Sequence, residues 1–334
     1  MTANTAHIMP QTAQSNPAHR RWRDIALLGG LFGFVILGLA GLAAATGWDE
    51  TVAQLRKLQA WQFVVLIALS LVNYLFRGGR WHIMARKLGL PTKFTQDIRH
   101  FIGGFAMSVT PGRVGELIRM RWIKRETGWA VERTAPLVLM DRASDLAAMA
   151  LILAMGLALG TGGVTFGAPV VCVALAAAYV ATRPTLLSAI TTYTYRATGL
   201  FPRLMVRLRR AANSLTAFTS PKTMIVTLGL GLIGWIAEGM AFHLLLVWMG
   251  ADIGFWMAVT IFTFSTLAGG LTGAPGGVGG AEAAMIALLS LQGVPLETSL
   301  PATAIIRVTT LWFAIGLGLI VFPYAERQSI KQAI

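Results

Sequence analysis

Asp141, Arg142 and Asp145 stand close together in a stretch whose following neighbours are almost all apolar. Asp141 and Asp145 are four residues apart and share a helical face, while Arg142 and Asp145, three apart, can pair. Glu238 lies near the middle of another apolar stretch, with His243 about one and a half turns further on. Arg307 follows Pro301 at the same interval at which Arg142 follows Pro136. At the centre of a membrane helix each such charge costs about 2.5–3.5 kcal/mol, so charges gathered there imply a polar interior rather than a lipid-facing surface. Arginine grips phosphate through two parallel hydrogen bonds, and a neighbouring carboxylate can act as counter-ion or proton carrier. The chemistry indicated is capture of a phosphate-bearing headgroup. The same carboxylates could instead serve as acid and base in a lipid-linked group transfer. Plainer readings stand beside both. If each helix begins at its proline, the two arginines lie about 9 Å deep and could snorkel outward. Glu238 could belong to an ion pair that only locks the bundle.

Two Pro-Gly motifs flank these charges: Pro111-Gly112-Arg113-Val114-Gly115-Glu116 and Pro275-Gly276-Gly277-Val278-Gly279-Gly280-Ala281-Glu282. Beyond them, Gly128, Glu132 and Arg142 recur as Gly293, Glu297 and Arg307 in one shared register. Proline removes a backbone donor and glycine permits positive φ, so each motif breaks a helix. The freed backbone groups cannot face lipid and must face protein or a wet cavity. A broken helix also turns amides toward an anion. Two tight turns between ordinary helices are the bland alternative. Arg113, Glu116, Arg119 and Glu282 flank the breaks and complete a candidate translocation site with Asp141, Arg142, Asp145, Glu238 and Arg307. Three crossings separate the copies, which would then enter from opposite faces as an inverted repeat, with halves near residues 98–160 and 255–322.

The elements that must position these residues are apolar runs of membrane length. Residues 25–46 carry no charge over a span that crosses a hydrocarbon core of about 30 Å. Comparable runs occupy residues 61–76, 136–160, 165–182, 223–250 and 301–322. Residues 101–110 are too short to span, and 255–271 lead into the second break. The expected fold is an all-α membrane bundle of about six full crossings plus two short broken or re-entrant segments. The 334 residues are 55% hydrophobic and 13% charged, against about 25% charged in a soluble domain. A disordered cytoplasmic tail at 1–19 precedes one transmembrane domain, 20–334, whose first run reads as an uncleaved signal anchor.

A net charge of +14 would suggest nucleic acid in a soluble protein. Here the basic residues fall between apolar runs, as cytoplasmic loops require, so no nucleic-acid partner is expected. Both termini are placed in the cytoplasm, with the chain in the bacterial inner membrane. The single cysteine, Cys172, permits no internal disulfide, and no metal or cofactor is expected. Gly229-Leu230-Gly231-Leu232-Ile233-Gly234 matches a dinucleotide-binding pattern, but it lies in a membrane run with no preceding strand. Close helix packing explains it better.

Taken with Arg80-Trp81, the segment Thr110 to Arg119, Asp141-Arg142-Ala143-Ser144-Asp145, Glu238 and the second Pro-Gly motif, the chain resembles a known family. This is the transmembrane region of lysylphosphatidylglycerol synthases and their stand-alone flippase-like relatives, which include a hopanoid-associated membrane protein. The resemblance implies a lipid flippase fold that moves an amphiphilic lipid between leaflets. Ile334 closes a short tail after the last run, so the aminoacyl-transfer domain, and the enzymatic activity it carries, are expected to be absent. The implied partner is a membrane lipid, whether phospholipid, aminoacyl-lipid, hopanoid or polyprenyl-linked, with a lipid-synthesis enzyme as a second. A membrane-embedded transferase and a non-transporting scaffold remain the alternatives.

Overall fold

From Ala60 the chain meets no proline until Pro91, and its apolar residues run on without a helix stop. It forms α1, Ala60–Lys87. The structure is a computed structural model that describes residues 56–108, 114–159, 167–198, 215–218, 220–251 and 253–332, with Asp49 and Ala53 also placed. The expected tail at 1–19, the run at 25–46, and Pro111, Gly112 and Arg113 lie outside these residues. Among the described residues there is no strand, and the molecule is an all-α membrane bundle.

α1 corrects the sequence reading. Its apolar run ends at Phe76, and Gly78-Gly79 followed by arginines reads as a loop, yet the helix continues for about three more turns. Gly78 is a packing notch rather than a breaker, since a Cβ there would lie 2.6 Å from Ile98 Cδ1. Ile98 belongs to α2, Phe94–Gly103, which tightens into a 3-10 turn, Gly104–Met107, at the first break. Arg77 and Arg80 therefore leave the expected loop and occupy a buried helix face.

Beyond the first break run α3, Val114–Thr127, and α4, Val131–Leu159. They are followed by α5, Gly167–Thr182, and α6, Pro184–Thr198. α7 is Pro221–Trp248 and α8 is Phe255–Leu271. A 3-10 turn, Pro275–Gly277, makes the second break before α9, Gly280–Leu291. α10, Leu296–Arg307, passes through a π-helical turn, Val308–Trp312, into α11, Phe313–Lys331. Among the described residues four helices are long and apolar enough to span: α1, α4, α7 and the continuous Leu296–Lys331.

The internal repeat is visible element by element. α3 and α9 each follow a break, and each ends before a glycine with positive φ, Gly128 at 73° and Gly293 at 78°. Glu132 and Glu297 then lie in the first turns of α4 and α10. Pro136 and Pro301 sit inside those helices. Neither helix begins at its proline, so each arginine lies further from the start of its helix than the sequence reading places it. Arg142 and Arg307 are each the twelfth residue of their helix, about 16 Å along it, close to half of a hydrocarbon core of about 30 Å.

Two apolar clusters flank a polar layer. One joins Leu66 of α1, Ile152 of α4 and Phe242 of α7 to α8, α9 and α10. The other joins Trp81 of α1 and Leu137 of α4 to Phe101, Phe105 and Ile123. α1 and α4 run through both; on α4, Asp141, Arg142 and Asp145 fall between the two clusters, while on α1, Arg77 and Arg80 lie among Tyr74 and Trp81 of the second. Among the described residues α1 and α7 share the most extensive helix–helix contact, which Gly231 and Gly234 of α7 permit. A Cβ on Gly231 would lie 2.9 Å from Arg80 Nη1 and 3.2 Å from Ala148 Cβ. Of the dinucleotide-like glycines, Gly231 and Gly234 thus serve helix packing, over Arg80 and against Asn73 and Arg77, whereas a Cβ on Gly229 would meet nothing.

Candidate functional site

Asp145 is the hub of the polar layer. Its Oδ2 accepts from Arg77 Nη2 at 2.7 Å, and its Oδ1 accepts from Arg80 Nη2 at 2.8 Å and Trp235 Nε1 at 3.2 Å. Arg80 Nη2 also donates to Asp141 Oδ1 at 2.5 Å, and both Arg80 and Asp141 are buried. Arg77 lies over the Trp235 ring, 4.9 Å from its centroid. One helical turn separates the acids, and it divides their surroundings: Asp145 borders a cavity, whereas Asp141 is turned back onto Arg80. Asp141, expected in the translocation site, is not among the residues lining that cavity.

The cavity has a volume of about 470 Å³. Arg77, Arg119, Arg142 and Arg307 line it, against the carboxylates of Asp145 and Glu238. Both breaks reach it, the first through Gly104, Phe105 and Ser108 and the second through Gly276 and Gly277. The wall also includes the exposed end of α8 at Leu271. Residues far apart in sequence, the two repeat arms and the middles of α1 and α7 thus bring their charged groups to one cavity whose wall is otherwise largely apolar.

Each arginine is positioned differently. Arg142 keeps 33% of its side chain exposed, with Nη1 3.6 Å from Asp145 Oδ2 and Nη2 4.0 Å from Asp141 Oδ2. Its pairing with Asp145 follows the expected spacing, although Arg77 and Arg80 make the closer contacts. Arg307 Nε donates to Glu282 Oε1 at 2.6 Å, and its Nη2 donates to the Gly276 carbonyl at 3.0 Å. Glu282 Oε2 accepts the Gly279 amide at 2.7 Å. One carboxylate therefore caps α9 and fixes Arg307, standing behind the cavity wall rather than in it. Gly276, Gly277 and Gly279 have φ of 64°, 69° and 85°, the left-handed region that only glycine enters readily.

Arg119 is buried under aromatic rings. Its guanidinium lies 4.5 Å from the Phe101 centroid and 5.2 Å from that of Trp81, and Nη2 donates to the Phe101 carbonyl at 3.0 Å. Gly104 leaves the room it needs, because a Cβ there would collide with Arg119 Nε. Gly115 and Glu116 belong to the first turn of α3. Arg113, Pro111 and Gly112, expected beside them, lie outside the described residues.

Glu238 is 6% exposed and faces the cavity. It feels the charges of Arg77 and Arg307, yet those guanidiniums donate to Asp145, Asn73, Glu282 and Gly276 instead. Sequence reasoning missed Arg77 and Tyr74 as site residues. Tyr74 lines the cavity, and its hydroxyl donates at 2.5 Å to the Thr310 carbonyl inside the π-helical turn. The available signal was spacing: Tyr74, Arg77 and Trp81 continue the helical face that the apolar run establishes.

Residues 26–318 match the family described as Lysylphosphatidylglycerol synthase TM region. Two proteins of Methanothermobacter thermautotrophicus (strain Delta H), each named UPF0104 membrane protein, are 27% identical to the chain over 124 and 121 residues. These matches cover 35% of this chain and 37% and 36% of the two relatives, so the similarity spans little more than a third of their length.

Proposed function

The chain belongs to the lysylphosphatidylglycerol synthase TM region family, and from that premise we propose that it translocates a phosphate-bearing lipid between membrane leaflets without altering it chemically. The observation that carries this reading is the convergence of both helix breaks and four arginines on a single cavity. A phosphate entering it meets guanidinium groups from α1, α3, α4 and α10, whose two-point hydrogen bonds suit its oxygens. Arg142 and Arg307 hold the same position, the twelfth, in the helices of the two repeat arms, which suits a headgroup passed from one arm to the other. Acyl chains would remain in lipid beside the exposed end of α8. The basic loops favour the bacterial inner membrane with cytoplasmic termini.

The test is leaflet exchange of fluorescent phosphatidylglycerol in proteoliposomes. The protein should accelerate exchange, and Arg142→Gln or Arg307→Gln should slow it by about tenfold or more, the effect of losing one charge-assisted hydrogen bond. Wild-type protein that chemically converts the lipid would point to a transferase. If folded protein neither moves nor converts any anionic, aminoacylated or polyprenyl lipid, the proposal is wrong.

A further inference from the structure

Within the cavity, Glu238 stands apart from the other acids. Asp145 accepts three strong donors and Glu282 accepts two, but among the described residues none donates a hydrogen bond to Glu238. A largely buried carboxylate without protein donors is expensive to keep charged, and the guanidiniums of Arg77 and Arg307, which line the same cavity, offset that cost. A phosphate that pairs with those guanidiniums cancels their field at Glu238. Two anions would then face each other across one small cavity, where repulsion is weakly screened. Protonation of Glu238 from water removes the repulsion and leaves a neutral acid that can donate to a phosphate oxygen.

We propose that Glu238 takes up a proton as the phosphate-bearing headgroup enters the cavity and releases it when the headgroup leaves, so that lipid and proton cross together. This rests on the translocase reading and adds its energy coupling. The groups facing Glu238 support a proton over a metal cation. α1 presents Tyr74 and Arg77, α3 presents Arg119, α4 presents Arg142 and Asp145, and α10 presents Arg307 backed by Glu282. α8 contributes Thr266 and Phe262 but no titratable side chain. His243, further along α7, is turned against the Phe255 ring. A metal ion in the cavity would find only Glu238 and Asp145 as acid ligands among four guanidiniums, and Asp145 is already taken by Arg77 and Arg80, whereas a proton needs one carboxylate oxygen and no coordination shell.

The experiment uses the full chain in phosphatidylcholine vesicles containing fluorescent phosphatidylglycerol, with the outside acidic and the lumen alkaline. Labelled lipid should accumulate in the inner leaflet, and reversing the gradient should reverse the accumulation. Glu238→Gln should abolish this bias, while Glu238→Asp should retain part of it. Exchange that ignores the pH gradient, or that follows a sodium gradient at constant pH, overturns the proton proposal and leaves the translocase reading standing. A second measurement does not depend on transport: purified protein in weakly buffered detergent should take up protons when short-chain phosphatidylglycerol is added, and Glu238→Gln should not. Binding without proton uptake also overturns the proposal. Absence of exchange for every lipid, under any gradient, removes the translocase reading and the coupling with it.

Discussion

Arg80 and Arg142 show how the same side chain can lock a membrane bundle or serve its cavity. Arg80 is fully buried and held by Asp141 and Asp145, with Gly231 leaving room against it. Arg142 keeps a third of its side chain open, and its acid contacts are longer. Breaking a buried pair by removing one partner strands the other charge, which costs about 3–5 kcal/mol. Arg80→Met should therefore lower unfolding stability in detergent by about that amount, and adding Asp141→Asn should recover part of it. Arg142→Gln should shift stability by less than about 1 kcal/mol. Thermal unfolding of the three variants checks this. Equal losses from Arg80→Met and Arg142→Gln would erase the distinction between the lock and the site.

Each helix break depends on the pair of helices beside it, and the two pairs are held by different means. At the second break, a Cβ on Gly269 of α8 would lie 2.7 Å from Ala281 Cβ, so α8 and α9 touch almost backbone to backbone. At the first, α2 and α3 are clamped through Glu126, which pairs with Arg99 at 2.7 Å, accepts from Gln96 and lies 3.1 Å from His100 Nε2. Burial pushes the Glu126 carboxyl upward, but His100, Gln96 and Arg99 together hold it below its ordinary 4.5. A depressed acid contributes stability above its unfolded value and loses it as pH falls through the folded one. Glu126→Gln should therefore destabilise the protein at neutral pH, and the gap from wild type should close as pH drops below about 4.5. Melting curves across pH check the sign, and a gap that widens with acid would refute the clamp. The second break and the matching places of Gly128 and Gly293, Glu132 and Glu297, and Arg142 and Arg307 were legible in sequence because proline, glycine and intramembrane charge are local signals. Arg77 was not, because whether Gly78 stops a helix or seats one depends on Ile98, which only folding brings beside it. Nor could spacing decide that Asp141 would turn to Arg80 and Asp145 to the cavity, since the partner helix makes that choice.

At the scale of the whole molecule, the cavity is a shared boundary. The first arm brings Ser108 and Arg142 to it, and the second brings Leu271 and Arg307. α1 and α7 form the floor between them through Arg77, Trp235 and Glu238. For a headgroup to enter from one side and leave by the other, this boundary must rearrange, because a packed interior switches between discrete arrangements rather than deforming smoothly. The π-helical turn after Arg307 is a natural place for such a change, since its irregular backbone is tied to α1 by the Tyr74 hydroxyl and to its own preceding turn by the hydroxyls of Thr309 and Thr310. Motion of one arm against the other predicts that joining them stops transport. In a Cys172→Ser background, Ser108→Cys and Leu271→Cys place one thiol on each arm at the cavity wall. A reducible bifunctional linker joining those thiols should bring lipid exchange down to the rate of empty vesicles, and reduction should restore it. Each single-cysteine variant carrying the same reagent controls for simple blockage of the cavity. Exchange that continues at full rate in the joined protein would mean that lipid crosses a static groove, with the repeat arms as walls rather than moving parts.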